Sequence, residues 1–196
     1  MSLILFRRFL ASPLKVAYVF PSSPILVRKV ASKCDFTKPR VIVELGPGEG
    51  CHTREIIRRM HPDSRLFLFE IDPVLAEHLK AQFAHDPRVE VLATDAAHLK
   101  KELQARGLEH CDYVISGIPF SMIDAPVKTQ ILQAVCDALA SNPEAAFVVY
   151  QCTHELKRFA TMFPQVKSEW CPFNLPPLFV TVYRKAACCA PKAATP

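Results

Sequence analysis

Glycine is scarce in this chain, with five among 196 residues where an average usage of ~7% would give about fourteen. No window approaches the ~18 to 20 consecutive apolar residues that span a bilayer, so we do not expect an integral membrane protein. The eight cysteines include no C-x-x-C pair, which excludes a zinc ribbon and a thioredoxin-type redox motif. Half of the residues are hydrophobic and 22% are charged, which predicts one globular domain rather than a disordered chain.

Acidic residues are absent from the first 34 positions, which carry six basic ones: Arg7, Arg8, Lys15, Arg28, Lys29 and Lys33. Their charge of +6, against +5 for the whole chain, leaves residues 35–196 at −1. The basic character therefore belongs to an N-terminal arm and favours an anionic partner for it, either a lipid head-group layer or a phosphate backbone. No secretory signal is evident, so we expect reduced cysteines and a cytoplasmic protein.

From residue 40 onward, short β-branched or aromatic runs alternate with segments of helical period, which is typical of a mostly parallel sheet covered by helices. The pattern predicts strands at Val41–Leu45, Leu66–Glu70, Val89–Ala93, Tyr113–Ser116, Ala146–Tyr150, Val166–Trp170 and Leu178–Tyr183, and helices near 51–60, 73–84, 96–106, 125–140 and 153–162. The short, proline-rich connection at 171–177 leaves no room for a crossover helix, so the last two strands should pair antiparallel. We expect an arm at 1–34, an α/β domain at 35–185 and a disordered tail at 186–196.

Within the arm, Leu3, Phe6 and Leu10 repeat at helical spacing, while Arg7 and Arg8 point away from them. Such a helix either packs its apolar face on the domain or lies in a membrane interface. The sequence leaves both alternatives open.

Three of the five glycines, Gly46, Gly48 and Gly50, lie in one turn between the first strand and the next helix, just after Glu44. A NAD site has the spacing G-x-G-x-x-G, whereas G-x-G-x-G after an acid suits a ligand that has no pyrophosphate. S-adenosylmethionine is such a ligand, because its ammonium can pair with the Glu44 carboxylate while its body lies over the turn. Taken alone, the motif is also compatible with a plain tight turn.

The next two strands also end in acids. Glu70 follows the second strand, where a carboxylate can accept both ribose hydroxyl protons, and Asp95 follows the third, where it can accept from the adenine amino group. Three carboxylates at the carboxyl ends of successive strands line the crevice where open α/β sheets bind ligands. The alternative is that they are solvated strand ends.

With these motifs, residues 40–184 resemble class I S-adenosylmethionine-dependent methyltransferases, including the antiparallel hairpin that ends their sheet. The resemblance implies a Rossmann-like seven-stranded sheet with helices on both faces, S-adenosylmethionine as the cofactor and no metal. It also implies cofactor contacts from Glu44, Gly46, Gly48, Gly50, Glu70, Ile71, Asp95, Ala96 and Ser116.

The fourth strand runs into the segment 116–119 (SGIP), where a methyl acceptor would meet the sulfonium. Ribosomal RNA adenine dimethylases have Asn-Leu/Ile-Pro-Tyr/Phe here, and their asparagine accepts from the target amine, but this chain has Gly117 in its place. The segment resembles Ser-Gly-Leu/Ile-Pro of bacterial phospholipid N-methyltransferases of the phosphatidylethanolamine type, as do 20–24 (FPSSP) and 174–177 (NLPP). The segment 150–154 (YQCTH) departs from that family, which leaves the head group open.

Five residues are predicted to handle the acceptor amine: Ser116, Gly117, Ile118, Phe120 and Tyr18. The Ser116 hydroxyl and the carbonyls of Gly117 and Ile118 would hold the amine protons, while Phe120 and Tyr18, with Tyr150, would surround the methylated cation. Phe120 and Tyr150 are equally compatible with core positions, and His154 with either a base or a surface residue.

Three function hypotheses follow: an enzyme acting on a lipid amine, one acting on RNA adenine or a small amine, and a domain that only binds the cofactor or a membrane. The intact acidic set disfavours the third. An enzyme that acts on nucleic acid is expected to have basic residues spread over its catalytic domain, but residues 35–196 carry a net charge of −1. We therefore expect an enzyme that is peripheral on the inner face of the membrane.

Overall fold

The computed structural model describes residues 22–153, 156 and 161–185. The strands are β1 (Val41–Leu45), β2 (Arg65–Phe69), β3 (Val89–Leu92), β4 (Tyr113–Ser116), β5 (Ala146–Gln151), β6 (Gln165–Cys171) and β7 (Leu178–Arg184). The α-helices are α1 (Pro24–Ala31), α2 (Cys51–Arg59), α3 (Pro73–Phe83), α4 (Leu99–Gln104) and α5 (Ala125–Ala138). Short 3-10 turns lie at Ala96–His98 and Phe120–Met122.

The strands form one seven-stranded sheet in the order β3-β2-β1-β4-β5-β7-β6. Only β7 runs against the others, because it pairs antiparallel with both β5 and β6. The predicted fold class, a mostly parallel Rossmann-like sheet with an antiparallel last strand, is confirmed. The chain reverses its direction of strand addition between β1 and β4, and open α/β sheets bind ligands at the carboxyl edge of such a switch point.

Two hydrophobic layers cover the sheet, because successive strand side chains point to opposite faces. Ile42 belongs to the layer that packs against α1, α2 and α3, whereas its neighbour Val43 belongs to the layer under α4 and α5. Both side chains are fully buried. Helices therefore lie on both faces, as predicted.

The helix starts follow capping chemistry with two differences from expectation. Asp72 caps α3, where its Oδ1 accepts from the backbone of Val74 and Leu75. Asp124 stands at the N-cap of α5, but its side chain makes no capping hydrogen bond. The helix predicted near 96–106 opens with the 3-10 turn, since Asp95 accepts from the Ala97 N–H.

Part of the predicted arm belongs to the core of the domain. Helix α1 buries Leu26 and Val30 in the same hydrophobic layer as α2 and α3. Its basic side chains reach across to β6, where Lys29 and Lys33 pair with Glu169 at 3.3 and 2.7 Å. The arm residues 1–21, the tail at 186–196 and most of the helix predicted at 153–162 lie outside the described residues. No described helix has the length and apolar character to cross a bilayer.

Candidate active site

A pocket of about 630 Å³ opens at the carboxyl edge of the sheet, a volume typical of small-molecule sites. It is lined by most of the residues predicted for cofactor and acceptor: Gly46, Gly48, Glu70, Ile71, Asp95, Ala96, Gly117 and Ile118. The pocket also has lining residues from distant parts of the chain, namely Ser22, His52, Tyr150 and Asn174. The fold thus brings together side chains spread over some 150 residues.

Glu70 lies directly beyond β2, and backbone donors hold its carboxylate in place. Its Oε1 accepts from the Asp72 N–H at 3.0 Å and its Oε2 from the Gly48 N–H at 3.3 Å. These bonds connect the end of β2 to the glycine-rich turn and orient the carboxylate at the pocket wall. The arrangement suits the ribose role predicted for Glu70.

Glu44 is the last but one residue of β1 and is completely buried. Its Oε2 accepts from the Thr53 hydroxyl at 2.7 Å, whereas its Oε1 has no hydrogen-bond partner among the described residues. Burial raises the pKa of Glu44 to about 7, with a smaller contribution from the nearby Glu70. Glu44 is thus a core residue just before the glycine-rich turn and does not itself line the pocket.

The glycine-rich turn requires glycine most clearly at residue 50. Gly50 has a φ of +75°, in the left-handed region, and a Cβ on it would lie 2.9 Å from the Phe83 ring. The turn thus packs α2 closely against α3. At Gly48 a Cβ would meet no heavy atom within 4 Å, so the turn leaves open space on its other side.

Three residues predicted to handle the acceptor are placed differently from expectation. Ser116 is buried, accepts from the Ile118 N–H at 3.2 Å and does not line the pocket. Phe120 is fully buried edge-on to Phe147 in the layer under α5, so it is a core aromatic. The Ile118 carbonyl already accepts from Phe120 N–H. Tyr18 and His154 lie outside the described residues.

Gly117 lies against Tyr150, a contact that the sequence did not reveal. A Cβ on Gly117 would lie 2.4 Å from the Tyr150 hydroxyl oxygen and 3.0 Å from the Gly46 carbonyl. The neighbouring Gly117 N–H donates to the Leu45 carbonyl at 2.9 Å. The backbone of the loop after β4 is therefore in direct contact with the backbone at the end of β1.

His52 is a pocket residue that sequence reasoning missed. Its ring stacks on Tyr150 with 4.2 Å between centroids, and its Nε2 lies 3.0 Å from the Ser22 hydroxyl. Burial lowers the pKa of His52 to about 3, so the imidazole is neutral. The four-residue spacing from Ile56, also buried on α2, is the helical signal that places His52 on the inward face.

Two segments singled out by the resemblance meet beside the pocket. The Ser23 N–H donates to Asn174 Oδ1 at 2.8 Å, and Asn174 Nδ2 donates to the Pro176 carbonyl at 2.9 Å. The residues before α1 are thereby joined to the loop between β6 and β7. Asn174 itself lines the pocket, while Phe173 and Leu175 on either side are each 68% exposed.

The residues present fit S-adenosylmethionine. The buried Glu44 carboxyl has one oxygen without a hydrogen-bond partner among the described residues, and a cationic ligand nearby would favour its ionised form. The space beside Gly48 admits a ligand against the backbone, and Glu70 supplies fixed acceptors for hydroxyl groups. Ile71 adds an apolar side chain to the pocket that Asp95 also lines.

Comparison with known proteins gives consistent findings. The family model described as ribosomal RNA adenine dimethylase matches residues 16–163. The chain is 34% identical over 164 residues to an ornithine lipid N-methyltransferase of Singulisphaera acidiphila, which covers 83% of this chain and 84% of that protein. It is also 34% identical over 91 residues to an rRNA adenine N-6-methyltransferase of Aeromicrobium erythreum, 45% of this chain and 26% of that one.

Among solved structures, the fold is similar to precorrin-6y C5,15-methyltransferase from Geobacter metallireducens, with a TM-score of 0.62 and 17% identity. The alignment covers 85% of this chain and 94% of that one. At this identity the likeness shows the fold alone.

We predict that Glu70→Ala weakens S-adenosylmethionine binding by about 1–3 kcal/mol, because the ribose hydroxyls lose their acceptors. Titration calorimetry measures the change, and Glu77→Ala, on the exposed surface of α3, is the matched control with unchanged affinity. Equal affinity of the Glu70 variant and the wild type would remove Glu70 from the ribose.

We also predict that cofactor affinity rises with pH. The raised pKa keeps Glu44 mostly protonated at pH 6, and a bound cation favours the carboxylate, so binding should tighten about fivefold or more between pH 6 and pH 7.5. Because the pKa of Glu44 is higher in the folded protein than the ordinary value of 4.5, the folded state binds more protons than the unfolded state between these pH values. In the free protein, the contribution of Glu44 to the free energy of unfolding therefore falls as the pH rises from 4.5 towards 7. Calorimetry at both pH values on wild type and Glu44→Gln tests this; an identical pH dependence in the two proteins would contradict it.

Proposed function

The chain belongs to the ribosomal RNA adenine dimethylase family and is an S-adenosylmethionine-dependent methyltransferase, and we propose that its acceptor is the primary amine of a membrane-lipid head group. Phosphatidylethanolamine and ornithine lipid both carry such an amine. The observation that carries the proposal is the similarity to the ornithine lipid enzyme along most of both chains. The rRNA adenine methyltransferase from Aeromicrobium erythreum matches over less than half of this chain.

The residue at 117 supports a lipid amine over adenine. Glycine there has no side-chain oxygen to accept from an adenine amino group, and the Tyr150 hydroxyl fills the space where a side chain would start. A flat, extruded base needs a preformed slot with matched acceptors. A small amine at the end of a flexible lipid head group needs only one wall of the pocket to hold it.

The surroundings of the pocket support a lipid-facing opening. Met122 and Val127 line the pocket and remain partly exposed, and the exposed Phe173 and Leu175 flank the pocket residue Asn174. Exposed apolar side chains grouped around one opening are typical of surfaces that contact a membrane or another apolar partner. A head group could thus enter while its acyl chains stay in the bilayer.

In the reaction, S-adenosylmethionine supplies an electrophilic methyl group. The chain's own task is to bring a neutral amine into line with that group and to exclude water, which accounts for much of the rate of such transfers. The loop after β4 forms the acceptor wall, while the glycine-rich turn and Glu70 fix the other reactant. Metal ligands are not part of this scheme.

For the location of the enzyme, we propose that residues 1–20 bind an anionic membrane surface. Lys29 and Lys33 are partly neutralised by Glu169, so the attraction rests mainly on Arg7, Arg8 and Lys15. Each basic residue near an anionic leaflet contributes about 1 kcal/mol.

Methylation of rRNA adenine is the second candidate, favoured by the family model itself. We predict that the wild type transfers tritiated methyl groups to vesicles containing phosphatidylethanolamine or ornithine lipid, and not to protein-free ribosomal RNA. Gly117→Asn should lower lipid labelling about tenfold or more without creating RNA labelling, because its side chain collides with Tyr150. Labelling of RNA but of neither lipid by the wild type would overturn the proposal in favour of the second candidate.

Deletion of residues 1–12 should abolish sedimentation with anionic liposomes, and salt should weaken binding of the full chain. A sharper test compares two double variants that lose the same charge. One replaces Arg7 and Arg8 by Gln, and the control replaces Lys80 and Lys101, on the surface of the domain, by Gln. Only the first pair should weaken binding. Equal sedimentation of the deletion and the full chain would mean that the arm packs on the domain.

A further inference from the structure

We propose that Tyr150 is the residue that positions the acceptor amine, and that Gly117 is glycine so that the Tyr150 hydroxyl can occupy this wall. The inference deepens the proposed function and rests on it for the identity of the amine. The proposal assigns to Tyr150 on β5 the hydrogen-bond acceptor for the amine, which Gly117 cannot supply because it has no side chain.

Strand register places the two residues side by side. Ser116 of β4 pairs with Val149 of β5, so Gly117 and Tyr150 are the next positions along each strand. Both residues line the pocket. With 2.4 Å between the phenol oxygen and an ideal Cβ on Gly117, the oxygen stands where any side chain at 117 would begin.

The phenol is held firmly in this position. Tyr150, near the end of β5, is only 8% exposed, and the His52 ring stacks on its ring at an angle of 22°. His52 is in turn within hydrogen-bond distance of Ser22, before α1. A neutral imidazole can stack on the phenol without placing a positive charge beside an incoming amine.

The chemistry requires one hydrogen-bond acceptor at this wall. A neutral primary amine donates an N–H to the phenol oxygen, which points its lone pair away from Tyr150 and into the pocket. The nitrogen then forms a bond to the methyl carbon as the carbon–sulfur bond breaks, with S-adenosylhomocysteine as the leaving group. The surplus proton of the product ammonium passes to solvent, and Tyr150 stays protonated throughout.

The contact between Gly117 and Tyr150 also favours a small amine over a purine base as the methyl acceptor. A side chain at 117 would have to displace a buried, stacked phenol on one side and the Gly46 carbonyl on the other. Neither can shift cheaply, because the first is packed and the second is backbone. A phenol at the end of β5 suits a small amine, and it narrows the space that a purine ring would need.

The first experiment is a double-mutant cycle on the full chain, which needs no substrate. Gly117→Ala should lower the melting temperature by about 5 °C in the wild type, because its Cβ meets the Tyr150 oxygen. In a Tyr150→Phe background the 2.4 Å contact with the oxygen is gone, while the 3.0 Å contacts with the ring Cζ and the Gly46 carbonyl remain, so the same substitution should cost clearly less. Equal losses in the two backgrounds would show that the two residues are not coupled and would overturn the pairing.

The second experiment measures kinetics on whichever acceptor the wild type methylates. Tyr150→Phe keeps the ring but removes the hydroxyl, and should lower kcat about tenfold or more while cofactor affinity stays within about twofold. Tyr183→Phe, a buried tyrosine on β7 that does not line the pocket, is the matched control with unchanged kcat. A Tyr150→Phe enzyme with wild-type kcat but a lower melting temperature would make the hydroxyl merely structural and overturn the positioning role.

The outcomes separate the two proposals. If the wild type methylates RNA and not lipid, the proposed function fails, but the coupling between residues 117 and 150 is still measured. If the wild type methylates lipid and Tyr150→Phe retains its kcat, the positioning role fails alone.

Discussion

The site depends on the contact between the loops that follow β1 and β4. These strands are neighbours at the switch point of the sheet, and Gly46 and Gly117 let their backbones approach until the Gly117 Cα faces the Gly46 carbonyl. A Cβ on Gly46 would lie 3.3 Å from the Ile118 side chain and one on Gly117 3.0 Å from the Gly46 carbonyl, so side chains here would press the two loops apart. This contact between the two loops sets the relative positions of the glycine-rich turn, the acceptor wall and the Tyr150 hydroxyl.

Burial determines the electrostatics around this contact. Burial raises the pKa of Glu44, just before the turn, to about 7, and it lowers the pKa of His52 to about 3, which keeps the imidazole neutral. The free pocket thus holds less charge than its sequence suggests. A cationic ligand beside Glu44 would favour its ionised form, which is why binding is expected to depend on pH.

Tertiary structure also connects the ends of the described chain. Ser22 contacts His52 and Ser23 donates to Asn174, so the first described residues of the arm reach both the pocket residue His52 and the exposed loop between β6 and β7. A membrane-bound arm would therefore be attached directly to the opening of the pocket.

The sequence by itself determined the fold and the cofactor half of the site. Alternating apolar patterns located all seven strands, the proline-rich connection predicted the hairpin, and the strand-end acids identified Glu70 and Asp95 at the pocket. These features are local, because periodicity, turn chemistry and the residue after a strand are written in consecutive positions. The acceptor half was decided by tertiary structure. Phe120 follows predicted site residues in the sequence but lies in the core. His52 and Tyr150 meet at the pocket because the His52 ring of α2 stacks on Tyr150 and because β5 pairs with β4. Contacts between residues about 100 positions apart depend on packing, which no local pattern encodes.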